Sequence, residues 1–224
     1  MTHRCGQAIA EIVRPHVPPE SLDHVVRALG ELRVELRVVR PRRSKLGDHR
    51  PPRLPLRPMH RITVNADLNP WSFLTTLLHE VAHAATWERH APRRRRVRPH
   101  GPEWQREFST ALVPLLDARV FPDDLAAAVT RSLASPAAAT CSDRGLLLAL
   151  ARYDRPVEGR TRVEELAEGT WFRVDGRHVF RAGRLVRTRR QCFLAGTDDE
   201  YRVHGLLAVE PLAEPPAEAI RRRH

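Results

Sequence analysis

The chain of 224 residues is short of lysine, cysteine, aromatic side chains and long apolar runs. Each shortage excludes something. Lys45 is the single lysine, so the 38 basic side chains are otherwise all arginine. Three cysteines (Cys5, Cys141 and Cys192) are too few and too far apart for a disulfide framework or an all-cysteine zinc ribbon. Cys141 and Cys192 are expected to pack as small buried hydrophobes. Apolar runs such as Leu146-Leu147-Leu148-Ala149-Leu150-Ala151 fall far below the ~20 residues that span a bilayer, so no membrane partner is expected. Residues 1–10 show no charged-then-apolar leader pattern. An apolar content of 42% is too high for a disordered tail protein. What remains is a soluble, basic, cytoplasmic protein, expected as a monomer, with association to the nucleoid left open.

The charge is abundant and uneven. The net formal charge is +11. Residues 40–61 hold eight basic side chains and one acid, and 93–98 hold five arginines in six positions. Residues 176–190 carry six arginines and no acid, whereas 111–170 carry seven arginines against nine acids. A genome that favours arginine codons would spread the charge evenly. Segregated charge points instead to a polyanion partner, DNA above all, because guanidinium groups that neutralise phosphates release counterions. The residues expected to contact DNA are Arg42, Arg43, Lys45, Arg93, Arg94, Arg95, Arg96 and Arg98.

Hydrophobic periodicity organises the rest. Residues 6–13 read as weakly helical, and Leu22, Val25, Val26 and Leu29 fall at helical spacing. Leu32, Val34, Leu36 and Val38 then alternate with polar residues, as do Ile62, Val64 and Ala66, which predicts two strands. The Pro- and Arg-rich stretch 41–58 between them is expected to be a polar hairpin loop. Asn69-Pro70 is a good helix start, since Asn can cap and Pro suits the first helical position. The following helix is apolar on most sides through Phe73, Leu74, Leu77, Leu78, Val81, Ala82 and Ala85, so it should be central and buried. Gly101-Pro102 opens another helix, which Pro114 is expected to kink or end, and Pro122-Asp123 and Ser142-Asp143 open two more. Beyond Tyr153, about five short strands lie between 170 and 212, with turns expected at Asp175-Gly176, Ala182-Gly183 and Gly196-Thr197-Asp198-Asp199. The fold class is α+β: a mainly helical domain with a small antiparallel sheet over 1–155, a linker at 156–164, a small SH3-like β-barrel module over 165–212, and a frayed tail at 213–224.

The chemistry sits on the central helix. His79-Glu80-Val81-Ala82-His83 is an HExxH motif. Residues four apart are one helical turn apart, so both imidazoles can reach one metal ion, with Glu80 beside it. A catalytic zinc needs a third protein ligand and one open position. The glycine and histidine that a metzincin requires are replaced by Thr86 and Arg89. His90, His100, Glu103 and Glu107 are the candidates for the third ligand. His100 is favoured, because a sixteen-residue connection can bring it back over the helix; Glu103 is the alternative. Trp87, Trp104 and Trp171 are available for stacking but fit core positions equally well.

Four stretches carry a resemblance: Arg43-Ser44-Lys45-Leu46-Gly47-Asp48, Arg61-Ile62-Thr63-Val64-Asn65, the HExxH segment, and Pro99-His100-Gly101-Pro102-Glu103-Trp104. Together, over roughly 20–155, they resemble the SprT-like (Spartan-related) zinc metalloprotease family, without the C-terminal zinc ribbon of many members. The resemblance implies a zincin-like fold, one catalytic zinc ion on His79, His83 and His100, Glu80 as general base, and proteolysis of DNA-associated or DNA-crosslinked proteins. The competing reading is a non-proteolytic, zinc-containing nucleic-acid-binding regulator.

Overall fold

The computed structural model describes residues 3–42, 45–53, 56, 58–90, 97–134, 143–155, 158–197 and 199–215. The chain forms two units, Met1–Asp154 and Arg155–His224. None of the described helices is long and apolar enough to cross a membrane.

Helices α1 (His3–Val13) and α2 (Leu22–Glu31) open the first unit. Val13, Val25 and Leu29 are fully buried. Strand β1 (Val34–Val39) follows, with Val34 and Leu36 turned to the core and Arg37 to solvent. The stretch expected to be only loop contains β2 (Gly47–Arg50), and β3 (His60–Asn65) follows it. The expected antiparallel hairpin is therefore corrected. β1 runs parallel to β3, Val34 opposite His60 and Val38 opposite Val64, while β2 is antiparallel to β3. The sheet is mixed, in the order β1-β3-β2. A parallel pair needs a long return path, and residues 40–59 supply it. Strand β2 carries Asp48, His49 and Arg50 and so has no apolar period to reveal it.

Alternation along the strands turns Gly47 and His49 to the same face as His60, Ile62 and Val64. Helix α3 (Pro70–His90) lies against β2 and β3. Its start is as expected: the Asn69 side-chain oxygen accepts from the Ser72 N–H at 2.9 Å. The Asn69 amide also donates to the Leu150 carbonyl and to Asp154, tying this end to α6 (Arg144–Ala151). Twelve α3 residues are buried, so this is the central helix. Helix α4 (Pro102–Asp117) packs on α3 with Trp104, Phe108, Leu112 and Leu115 buried. Pro114 does not end it. Pro114 and Thr110, the residue whose carbonyl it cannot serve, both lie on the exposed side, so the helix continues to Asp117. Helix α5 (Asp123–Ala134) precedes α6, whose first turn is capped by the Asp143 side chain on the Gly145 and Leu146 N–H groups.

The second unit is one six-stranded sheet, ordered β4-β9-β5-β6-β7-β8. Its strands are β4 (Thr161–Arg162), β5 (Trp171–Val174), β6 (His178–Val186), β7 (Arg189–Leu194), β8 (Glu200–His204) and β9 (Ala208–Leu212). Three expectations change. Strand β4 lies inside the expected linker and pairs with β9. Ala182-Gly183 is not a turn: β6 runs through it with a register irregularity. A Cβ on Gly183 would stand 3.0 Å from the Phe193 ring and 3.1 Å from the Gln191 carbonyl, so glycine is what lets β6 and β7 close there. Third, the end strands β4 and β8 do not pair with each other, so the described residues form no closed barrel. The Asp175-Gly176 turn is present, with positive φ of 58° and 69° as a primed hairpin turn requires. Cys192 is fully buried, and burial pushes its thiol up to about 11, which suits a small inert hydrophobe. Cys141 and residues 216–224 lie outside the described residues.

Candidate metal centre

The helical spacing of His79 and His83 places both rings on one side of α3. The third ring comes from His100, which immediately precedes α4. His100 adopts φ 57°, a left-handed conformation rare for a non-glycine residue, and the Gly101 N–H turns back onto the Arg98 carbonyl. This tight turn aims the imidazole back at α3. The three Nε2 atoms form a near-equilateral triangle, with His83 3.2 Å from His79 and His100 3.0 Å from each. Ligands held about 2.0 Å from a tetrahedral centre stand about 3.3 Å apart. Three converging imidazole nitrogens repel unless a cation joins them, so these residues fit a divalent metal. Their protonation agrees. Burial, with the neighbouring imidazoles, lowers His79 to about 3 and His83 to about 4, and burial lowers His100 as well. All three shifts favour the neutral form that a metal ligand needs.

Trp104 of α4 fixes the first ligand from behind. Its indole N–H donates to the His79 carbonyl at 3.3 Å, and its ring lies 4.5 Å from the His79 ring. Trp104 is only 2% exposed, so of the two readings open for it the core position holds. Glu103, the alternative ligand, is not among the side chains gathered at the triangle.

Glu80 points to β2. The His49 backbone N–H donates to its carboxylate. Burial, helped by the charge of Asp48, pushes Glu80 up to about 7, against the opposing pull of Lys45 and Arg42. That value is close to the working range of a group that both takes and gives a proton. Gly47 makes this approach possible. A Cβ there would lie 2.6 Å from Glu80 Oε1, 2.8 Å from its Cγ and 2.9 Å from Thr76 Cγ2. Gly47→Ala should therefore push β2 off α3 at a cost of ~1–3 kcal/mol. We expect a lower thermal midpoint and impaired catalysis with metal binding retained; unchanged stability would show that Glu80 can swing aside.

A second constellation went unseen in the sequence. His49 Nε2 lies 2.8 Å from His60 Nδ1, and His60 Nε2 lies 2.8 Å from Glu88 Oε1. His60 is 1% exposed. With Glu88 accepting, His60 donates from Nε2, and a neutral His49 then donates from its own Nε2 to His60 Nδ1. The chain clamps β2, β3 and the end of α3 together beside the metal ligands, with the His49 ring parallel to that of His83 at 6.3 Å. Period two in β3 put His60 on the buried side and was the one available signal. His49 was hidden because its strand was.

These elements enclose a cleft of about 560 Å³ that His79, Glu80, His83 and His100 share with His49, Trp87, Arg98 and Trp104. Of the arginines expected to meet DNA, Arg98 is exposed on the rim of this cleft. Arg42 is half-buried and spent on structure: Nε donates to Asn65 Oδ1, Nη1 to Thr63 Oγ1 and Nη2 to the Thr63 carbonyl. Asn65 in turn donates to the Arg42 and Lys45 carbonyls, which locks the approach to β2. Lys45 pairs with Asp48 at 2.6 Å. Arg43, Arg93, Arg94, Arg95 and Arg96 lie outside the described residues.

Proton accounting separates Glu80 from the ligands. At pH 6 His79 and His83 are already neutral, while Glu80 near 7 is mostly protonated. A cation alongside favours the carboxylate, so zinc binding should release close to one proton, and it should come from Glu80. Calorimetry in buffers of different ionisation enthalpy reads this number directly. The release should vanish in Glu80→Gln; a release that persists would place the proton on a histidine instead.

Fold and site together define an α+β domain whose buried HExxH helix presents, with His100, a three-histidine cluster that could hold a metal ion. Residues 30–113, within the first unit, match the model of the SprT-like family. That match spans β1 to most of α4 and includes all three histidines and Glu80. No curated protein and no solved structure is a significant match to the chain.

Proposed function

We propose that this protein is a zinc-dependent endopeptidase of SprT-like type with a zincin arrangement, acting as a cytoplasmic monomer on proteins associated with or crosslinked to DNA. The observation that carries the reading is the Nε2 triangle of His79, His83 and His100 beside a buried carboxyl near 7. A structural metal site has no use for that carboxyl. Zinc, when bound, supplies Lewis-acid polarisation and a more acidic water. The protein's own residues supply the rest. Glu80, oriented by the His49 N–H, takes the proton of the attacking water and returns it to the leaving amide nitrogen. Trp104 holds the His79 backbone, and the Glu88–His60–His49 chain holds β2. The mixed sheet and α3 enclose the cleft on one side, and the segment around Arg98 borders it on the other.

Support for a DNA partner comes from the charge segregation in the sequence. The test is casein cleavage and self-cleavage by the purified chain with and without DNA, with a chelator control. Chelator-sensitive cleavage is the expected result. Stoichiometric zinc without any cleavage would favour the non-proteolytic regulator instead.

A further inference from the structure

The charge that segregates most sharply in the second unit lies on one hairpin. Residues 176–197 carry six arginines and no acid, and they form β6, its turn and β7. One of the six is internal. Arg190 is 5% exposed and donates to the carbonyls of Val163, Gly183, Glu164 and Leu166. It staples the hairpin to the segment before β5 and is buried away from solvent. The other five, Arg177, Arg181, Arg184, Arg187 and Arg189, are exposed. The remaining arginines of the sheet are neutralised: Arg162 is held by Glu165, Arg173 by Glu210, and Arg202 by Glu200. The five have no such carboxylate among the described residues. Arg189 donates to the Arg202 carbonyl, and Arg181 stands 5.4 Å over the Phe193 ring. A strand pair that concentrates like charge without acids repels itself unless anions sit on it.

The aromatic residues add shape to the charge. Strand register places Trp171 opposite Arg181, and Arg181 opposite Phe193. Alternation puts these three in a row on one face, while Phe172, Phe180, Ala182 and Cys192 fill the core on the other. Trp171 is thus left out of the hydrophobic cluster of its own unit and remains half-exposed. Of the stacking aromatics named from the sequence, Trp104 is in the core and Trp87 packs edge-on against His60. Trp87 is half-exposed too but lines the cleft of the first unit, whereas Trp171 stands among the hairpin arginines.

We propose that this face of β5, β6 and β7 binds single-stranded DNA, with Trp171 and the Phe193–Arg181 pair taking bases and the hairpin arginines taking phosphates. Aromatic rings and guanidinium planes on an open sheet recognise unpaired bases, whose faces a duplex hides. The site deepens the nucleic-acid part of the proposed function and rests on it for the class of partner; it does not depend on proteolysis.

The experiment uses the full chain carrying Glu80→Gln, so that no cleavage intervenes, and a labelled twenty-residue oligothymidylate read by fluorescence anisotropy. Stacking is worth ~1–3 kcal/mol per base, so Trp171→Ala should weaken binding by roughly 5- to 150-fold. Trp171→Phe keeps a ring and should restore most of the affinity. Arg184→Gln with Arg187→Gln lies on exposed positions that do not threaten folding. Losing two phosphate contacts should flatten the slope of log affinity against log salt by about 1.4. Duplex DNA of equal length should compete poorly. The proposal is overturned if affinity and salt slope are unchanged in these variants, if duplex or RNA competes better, or if only phosphatidylserine vesicles bind. The two readings fail separately. Casein cleavage by the wild type without oligothymidylate binding removes this surface alone. Binding without cleavage removes the peptidase alone.

Discussion

Glu80→Gln should abolish peptide cleavage while zinc still binds in a ratio of one to one. The expected loss is ~10²–10⁴-fold in kcat, the range for removing a positioned general base. The substitution preserves shape. An amide oxygen can still accept from the His49 N–H, so β2 should stay on α3 and Gly47 should keep its close approach. What the amide cannot do is take a proton from water and hand it to the leaving nitrogen. The three histidines that could gather a metal ion are untouched. Metal content by atomic absorption and cleavage of casein are therefore expected to separate cleanly. A variant that still cleaves at more than a few per cent of the wild-type rate would remove Glu80 from the proton transfer.

His100→Ala should cost the protein its metal. Loss of a residue that merely orients a metal ligand reduces affinity ~10–100-fold, and loss of a direct ligand should exceed that. The geometry gives no substitute. His79 and His83 share one helix face, and the third nitrogen at 3.0 Å from each belongs to His100. Cobalt titration should show a drop of more than ~100-fold, with no detectable cleavage at stoichiometric zinc. Glu103→Ala should leave metal affinity unchanged. Circular dichroism should show that the His100 variant keeps its helices, because the ring lies on a loop before α4 and outside the hydrophobic cluster. Retained one-to-one metal in this variant, with loss in Glu103→Ala, would reassign the third ligand.

Much of this site was legible without coordinates, and the parts that were share a property. The HExxH spacing, the Asn69 cap and the alternation in β1 and β3 are local patterns within a few residues. Helical and strand periods convert such patterns directly into faces. The central helix could be read as buried because it is apolar around most of its circumference, and the histidines on it inherited that environment.

What escaped lies between segments far apart in the chain. Strand β2 has no apolar alternation, so neither its existence nor its backbone hold on Glu80 could be read. His49, His60 and Glu88 look like isolated polar residues until β2, β3 and α3 come together. The parallel pairing of β1 with β3 was read as a hairpin because periodicity says which residues share a face and nothing about strand direction. Charge counts ranked Arg42 and Arg190 with solvent-facing arginines. The fold instead turned both inward, onto Asn65 and Thr63 in one case and four carbonyls in the other, because buried polar groups must find partners. The sequence by itself determined that a buried helix carrying two histidines one turn apart exists and which residues it carries. Only the tertiary structure decided which third histidine closes the triangle, which backbone amide holds Glu80, and which arginines remain exposed. Those outcomes depend on distances across the fold, which no residue spacing within one element encodes.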